Sequence, residues 1–147
     1  QYWKNKANSM ADVHTKEVRS YNMSQIRSKN TKPELMVRKY LFANGFRYTL
    51  HSKKLPGKPD IVLPKHKAVI FVHGCFWHGH EGCKYFVVPK TKTAWWLNKI
   101  NCNKDNDAKA RKALKKMGWK TINVWECSLK PASCEKTLLH LVNKIFR

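Results

Sequence analysis

The chain has 147 residues, one domain's worth, and 42% of them are hydrophobic, enough for a packed core and too many for a disordered chain. Thirty lysines and arginines face nine acids, a formal net charge of +21, and self-repulsion on that scale points to a polyanionic partner, nucleic acid above all. The apolar runs are too short to span a bilayer and no export leader is recognisable, so a cytoplasmic protein is expected.

In chain order, residues 1–9 read as an extension or remnant unrelated to the rest of the chain, with Met10-Ala11-Asp12 as a natural start. Residues 10–30 form a polar, basic arm with one short helix, and the main domain is expected over 31–147. Thr31-Lys32-Pro33-Glu34 opens a helix: Thr31 caps the first amides, Glu34 reaches back to the cap, and Pro33 fits the first turn. Val37 with Leu41 and Met36 with Tyr40 repeat at helical spacing, and Gly45 supplies the stop. Phe46, Tyr48 and Leu50 then alternate as a strand does. The turn Leu55-Pro56-Gly57-Lys58-Pro59 leads through Asp60 into Ile61-Val62-Leu63. Pro64-Lys65-His66-Lys67 turns the chain again into Ala68-Val69-Ile70-Phe71-Val72, a hairpin pattern. Lys92 to Met117 reads as helix in two pieces meeting near Asn101 to Lys104, closed by Gly118. Thr121 to Trp125 is a third core strand, and Leu138, Leu141, Val142 and Ile145 mark one face of a last helix. The order predicts an α/β domain, a mixed sheet with helices packed on it.

Two elements carry chemistry. His73 to Cys83 holds two cysteines and three histidines in eleven residues broken by glycines. Thiolates and imidazoles suit tetrahedral Zn²⁺, and glycines allow the turns that bring them together. Cys75, His80 and Cys83 supply three ligands, and Cys127, closing a Trp125-Glu126-Cys127 strand, is the best fourth. Four protein ligands would make the zinc structural. Cys102 and Cys134 are bystanders, and five cysteines clustered this way do not suggest a disulfide framework. The second element is Asp60, one of few acids, set behind a rigid turn at the head of a core strand. A carboxylate there can hold Mg²⁺ against a phosphate, with the Val72 backbone carbonyl alongside as another oxygen ligand.

Pro56-Gly57-Lys58-Pro59-Asp60, Ile70-Phe71-Val72-His73-Gly74-Cys75-Phe76-Trp77-His78, Gly118-Trp119 and Val124-Trp125-Glu126-Cys127 together resemble the very-short-patch repair (Vsr) endonucleases, from about Asp12 to Cys127. The resemblance implies a restriction-endonuclease-like fold in a bacterial, nucleoid-associated protein. It implies recognition of T:G mismatches in double-stranded DNA, left when 5-methylcytosine deaminates, and Mg²⁺-dependent nicking 5′ of the mismatched T. By the same resemblance Asp60 and the Val72 carbonyl bind the catalytic metal, His78 is the general base, and His73 supports it. Glu34 and Asp107 correspond to acids reaching the metal's water shell or a histidine, and Asn103 to a nearby polar position. Cys75, His80, Cys83 and Cys127 correspond to zinc ligands. Met23, Phe76 and Trp77 resemble side chains wedged into the base stack, and Trp96 a further DNA-contacting ring. A monomer is expected, with mismatch-repair proteins as candidate partners. The chain departs from the family at Val72, where threonine is expected, and at Gly79, Glu81 and Gly82, in a loop usually richer in histidine, which leaves Glu81 as an alternative zinc ligand. The second acid and lysine of the wider nuclease superfamily are missing from Ala68 to Val72, so His78 has to replace the lysine.

Two other readings compete. A zinc-containing nucleic-acid-binding module without catalysis accounts for the basicity and the Cys/His loop, but has no use for an acid aimed at phosphate. A structure-specific nuclease of the same fold is chemically equivalent and disfavoured only by the Cys-Phe-Trp-His resemblance.

Overall fold

The computed structural model describes residues 15–17 and 29–147. The expected extension at 1–9 and most of the expected arm at 10–30, Met23 included, lie outside the described residues.

Helix α1 (Lys32–Ala43) starts as its sequence dictates, with the Thr31 hydroxyl accepting the Glu34 amide at 3.3 Å and Pro33 in the first turn. The other half of the expected box is replaced. The Glu34 carboxylate turns inward, 1% exposed, where Arg38 and His51 donate to it. The four-stranded sheet runs β1 (Thr49–Leu50), β2 (Ile61–Leu63), β3 (Ala68–His73), β4 (Lys120–Trp125) in spatial order. β1–β2 and β2–β3 are antiparallel and β3–β4 parallel, so the predicted hairpin forms and the sheet is mixed. Only two residues of the expected first strand pair. Even so, Phe46 is buried, and Tyr48 and Leu50 pack on the core as the alternation requires.

The strands' alternation sorts the core into two layers. Ile61, Leu63, Ala68, Ile70, Ile122 and Val124 meet Val37 and Leu41 of α1 and Leu138, Leu141 and Ile145 of α3 (Cys134–Phe146). Val62, Val69 and Phe71 meet Leu114 of α2 (Thr93–Lys116) on the other face. Covering both faces explains why Ile61–Leu63 is a continuous apolar run rather than an alternating one.

α2 is one unbroken helix of 24 residues, about 36 Å long, which corrects the expected break near Asn101 to Lys104. Asn, Cys and Asn are weak helix formers because their side chains compete for local backbone groups. Here the Asn103 amide instead donates to the Trp77 carbonyl at 3.0 Å, and Ile100 is buried, so tertiary contact decides. A second correction concerns Cys127. The strand ends at Trp125, and a 3₁₀ turn, Glu126–Leu129, carries the thiol.

The Leu55–Lys58 turn ahead of Asp60 closes with the Lys58 amide donating to the Leu55 carbonyl at 3.2 Å, with Gly57 at φ +76°. Pro at its second and Gly at its third position suit a type II turn. Gly57 is needed for space as well, since a Cβ there would stand 2.6 Å from the Ala110 Cβ of α2. The turn is thus seated directly on the crossover helix.

Candidate active site and metal centres

Among the described residues three clusters of ligand-bearing side chains are built on this frame, at strand ends, on loop 75–83 and on the helices beside them. The first is Glu34, His51 and Asp60, whose ligand atoms lie within 4.8 Å of one another. Asp60 immediately precedes β2, and its Oδ2 accepts the Val72 amide at 2.8 Å. In an extended strand the N–H and C=O of one residue face the same neighbour. Burial pushes the Asp60 carboxyl up to about 6; the Val72 amide opposes the rise and the charge of Glu34 adds to it. His51 carries φ +48°, and its amide donates to the Asp60 carbonyl at 3.0 Å. Its Nε2 is 2.8 Å from Glu34 Oε2, an acid that Arg38 also contacts at 3.1 Å. His51 is not among the residues expected from sequence. Its one signal there is a histidine just before a Pro/Gly-rich turn, and nothing local links it to Glu34.

The second cluster is His73, His78 and Asp107. His78 Nδ1 lies 2.7 Å from Asp107 Oδ2, which fixes the ring and leaves Nε2 as the other nitrogen. His73 lies against it, with ring centroids 4.0 Å apart. Burial and then the neighbouring His78 push His73 down to about 4, so it is neutral at physiological pH. The first two clusters are joined through β3, where the Val72 amide donates to Asp60 and the next residue, His73, packs on His78.

The third cluster is Cys75, His80, Cys83 and Cys127, with Cys127 Sγ 3.5 Å from His80 Nδ1. Loop 75–83 is folded by backbone bonds from His80 to Cys75 and from Cys83 to His80, with Gly79 and Gly82 at positive φ. Gly79 also admits α2, because a Cβ there would stand 2.8 Å from Ile100 Cγ2. His80 stacks on Trp125, with centroids 4.0 Å apart. Burial pushes the Cys75 and Cys127 thiols up; hydrogen bonds, from the Cys127 backbone to Cys75 and from Cys75 to Cys127, oppose the rise, and the neighbouring Cys83 adds to it in both. Such a set resists ionisation unless a cation joins it, and three sulfurs with one imidazole are the donors Zn²⁺ prefers. The cluster can hold zinc. Glu81 is outside it, exposed and paired with Lys104 at 2.8 Å.

Phe76, Trp77 and Trp96 form an aromatic group with centroid separations of 5.3 to 5.6 Å. Phe76 is the buried member, at 6% exposed, whereas Trp77 and Trp96 are half-buried. Trp95, edge-on to Trp96, is 56% exposed. The adjacent tryptophans therefore divide as helical geometry demands, one against the loop and one outward.

Residues 11–84 match the family model described as DNA mismatch endonuclease Vsr. The chain is 50% identical over 137 residues to a type II nicking enzyme, V.NmeAIP, of Neisseria meningitidis, covering 92% of this chain and 97% of that one. It is 42% identical over 121 residues to the DNA mismatch endonuclease Vsr of Escherichia coli K12, covering 82% and 77%. A type II nicking enzyme of Xanthomonas oryzae, V.XorIIP, is 48% identical over 120 residues, covering 82% and 88%.

The chain belongs to the Vsr family of DNA mismatch endonucleases.

Membership makes it a DNA endonuclease and implies dependence on a divalent metal. The non-catalytic binding module is thereby set aside. Among the described residues no helix is long and apolar enough to cross a membrane. Within the Vsr frame, the fold brings Asp60 together with Glu34, His78 together with His73 and Asp107, and the four Cys/His residues with one another. Asn103 is drawn to the Trp77 carbonyl, beside the aromatic group.

Proposed function

We propose that this Vsr-family endonuclease recognises T:G mismatches in double-stranded DNA and nicks one strand 5′ of the mismatched T by Mg²⁺-dependent hydrolysis. The observation that carries the reading is an acid at the head of a core strand, Asp60, tied to the end of β3 by the amide of Val72, whose next residue packs on an imidazole anchored by Asp107. Asp60 and the Val72 carbonyl are the residues that would hold Mg²⁺. Bound there, the ion supplies charge stabilisation for the phosphate and makes water a better nucleophile. His78 accepts the water's proton at Nε2, its Nδ1 hydrogen directed at Asp107 so that the imidazolium is stabilised as it forms. His73, neutral and packed on His78, limits the ring's rotation. Glu34 buttresses the Asp60 side of the site. Cys75, His80, Cys83 and Cys127 hold a structural Zn²⁺ that braces the loop carrying Phe76, Trp77 and His78.

Selectivity arises from the cost of opening a base stack. Wedging an apolar side chain between bases costs a few kcal/mol, and least at a weakened mismatch. Met23, Phe76 and Trp77 are the proposed wedges, with Trp96 and Asn103 on the DNA side. Phe76, packed in the protein without DNA, has to turn outward for this, exchanging Trp77 and Trp96 for bases.

The test is a nicking assay on duplexes carrying T:G, C:G or T:A at one position, with Mg²⁺ or with EDTA. Cleavage of one strand of the T:G duplex in Mg²⁺ alone is expected, and Asp60→Ala is expected to abolish it with DNA binding retained. Equal nicking of all three duplexes would refute the specificity, and undiminished cleavage by Asp60→Ala would refute the mechanism.

A further inference from the structure

His51 has no task in the nicking mechanism, yet the fold delivers its imidazole to a place where two acids, Glu34 and Asp60, converge. We propose that His51 is a nitrogen ligand of the catalytic cation, so that the site formed with Asp60 and Glu34 is a mixed oxygen–nitrogen one that favours a transition-metal dication such as Mn²⁺ over Mg²⁺. The inference rests on Asp60 being the cation ligand.

Three observations support it. The ligand atoms of Glu34, His51 and Asp60 lie within 4.8 Å of one another. His51 Nε2 and Glu34 Oε2 are 2.8 Å apart, close to the edge of about 3 Å between adjacent ligands of an octahedral ion bound at about 2.1 Å. The imidazole is also held from behind: the His51 amide donates to the Asp60 carbonyl, pairing the two residues at the end of the β1–β2 ladder, and the backbone takes up φ +48° to do so. A histidine wanted only to neutralise Glu34 could do so from many positions, and Arg38 already contacts that acid at 3.1 Å. When the ion binds through Nε2, the proton of that nitrogen must leave it, moving to Nδ1 or to solvent. Carboxylates alone suit Mg²⁺, whereas imidazole shifts preference toward the softer first-row dications.

The experiment uses zinc-replete protein and Mn²⁺ as the probe, read by calorimetry for affinity and by electron spin-echo spectroscopy for ¹⁴N coupled to the bound ion. His51→Gln keeps a donor toward Glu34 but removes the ring nitrogen. Native protein should show imidazole ¹⁴N modulation. In His51→Gln the modulation should vanish and Mn²⁺ should bind at least tenfold more weakly, the lower end of what outer-sphere partners alone contribute, while the preference for Mn²⁺ over Mg²⁺ narrows. His78→Ala should leave the modulation in place. Modulation that survives in His51→Gln, or is missing from native protein whose Mn²⁺ binding still needs Asp60, overturns the assignment. Unchanged Mn²⁺ binding in Asp60→Asn would instead remove the cation from this site altogether, and the functional reading of Asp60 with it.

Discussion

Burial holds the Asp60 carboxyl at about 6, against 3.8 for a free side chain. The folded state therefore binds this proton more tightly than the unfolded chain. The associated stability is fully present below about pH 4 and is lost as pH rises through about 6. At neutral pH the ionised acid is a local burden that the proposed divalent ion would relieve. Asp60→Asn, which can still accept the Val72 amide, should accordingly melt higher than native protein at pH 7 without added divalent cation, by roughly 1–2 kcal/mol after allowance for screening. The gain should shrink toward pH 4, and thermal melts across that range would reveal a flat difference if the acid is not strained. Asp60 was legible in the sequence because a lone acid between a Pro-Gly turn and an apolar strand is unusual in so basic a chain. His51 was not, since its meeting with Glu34 depends on where α1 lies against the edge of the sheet. Only the fold brings positions 17 residues apart within hydrogen-bonding distance.

Among the elements, the Gly57 turn and the Cys/His loop are the two that seat the site. Gly57→Ala combines a left-handed backbone with a Cβ 2.6 Å from Ala110, so α2 and the turn cannot both stay in place. It should destabilise by about 2–4 kcal/mol in urea unfolding. Gly82→Ala, strained at φ +74° but facing open space, should cost only about 1 kcal/mol. A smaller effect at position 57 than at 82 would contradict the packing. Removing the proposed zinc with a strong chelator should lower the melting temperature and abolish nicking, with activity restored by Zn²⁺ and not by Mg²⁺ alone; restoration by Mg²⁺ would rule out a separate structural metal. The hairpin, the last helix and the Cys/His loop were all readable, because strand alternation, helical spacing and ligand composition are local patterns. The continuity of α2 was not. Its middle is composed of residues that by themselves favour an interruption, and what holds it straight is the Trp77 carbonyl and the buried seat of Ile100.

For the molecule as a whole, thirty basic residues against nine acids make duplex binding an ionic-strength question. If six to ten phosphates are neutralised, affinity should fall about 10³–10⁵-fold between about 50 and about 200 mM salt, independently of the mismatch. A shallow dependence in filter binding would mean that the charge serves something other than the DNA backbone. The proposed discrimination for T:G over C:G should persist across that range, because base contacts and stacking would carry it. The parts are kept in phase by α2. Trp96, Ile100, Asn103, Asp107, Ala110 and Leu114 succeed one another at alternating steps of four and three along a single stripe. In turn they meet the aromatic group, Gly79, Trp77, His78, the Gly57 turn and the sheet. One inserted residue would spin everything downstream by about 100° and part Asp107 from His78 while Trp96 stayed in place. This rod can therefore drift in composition along its outer side, but its length is fixed like the tooth count of a gear.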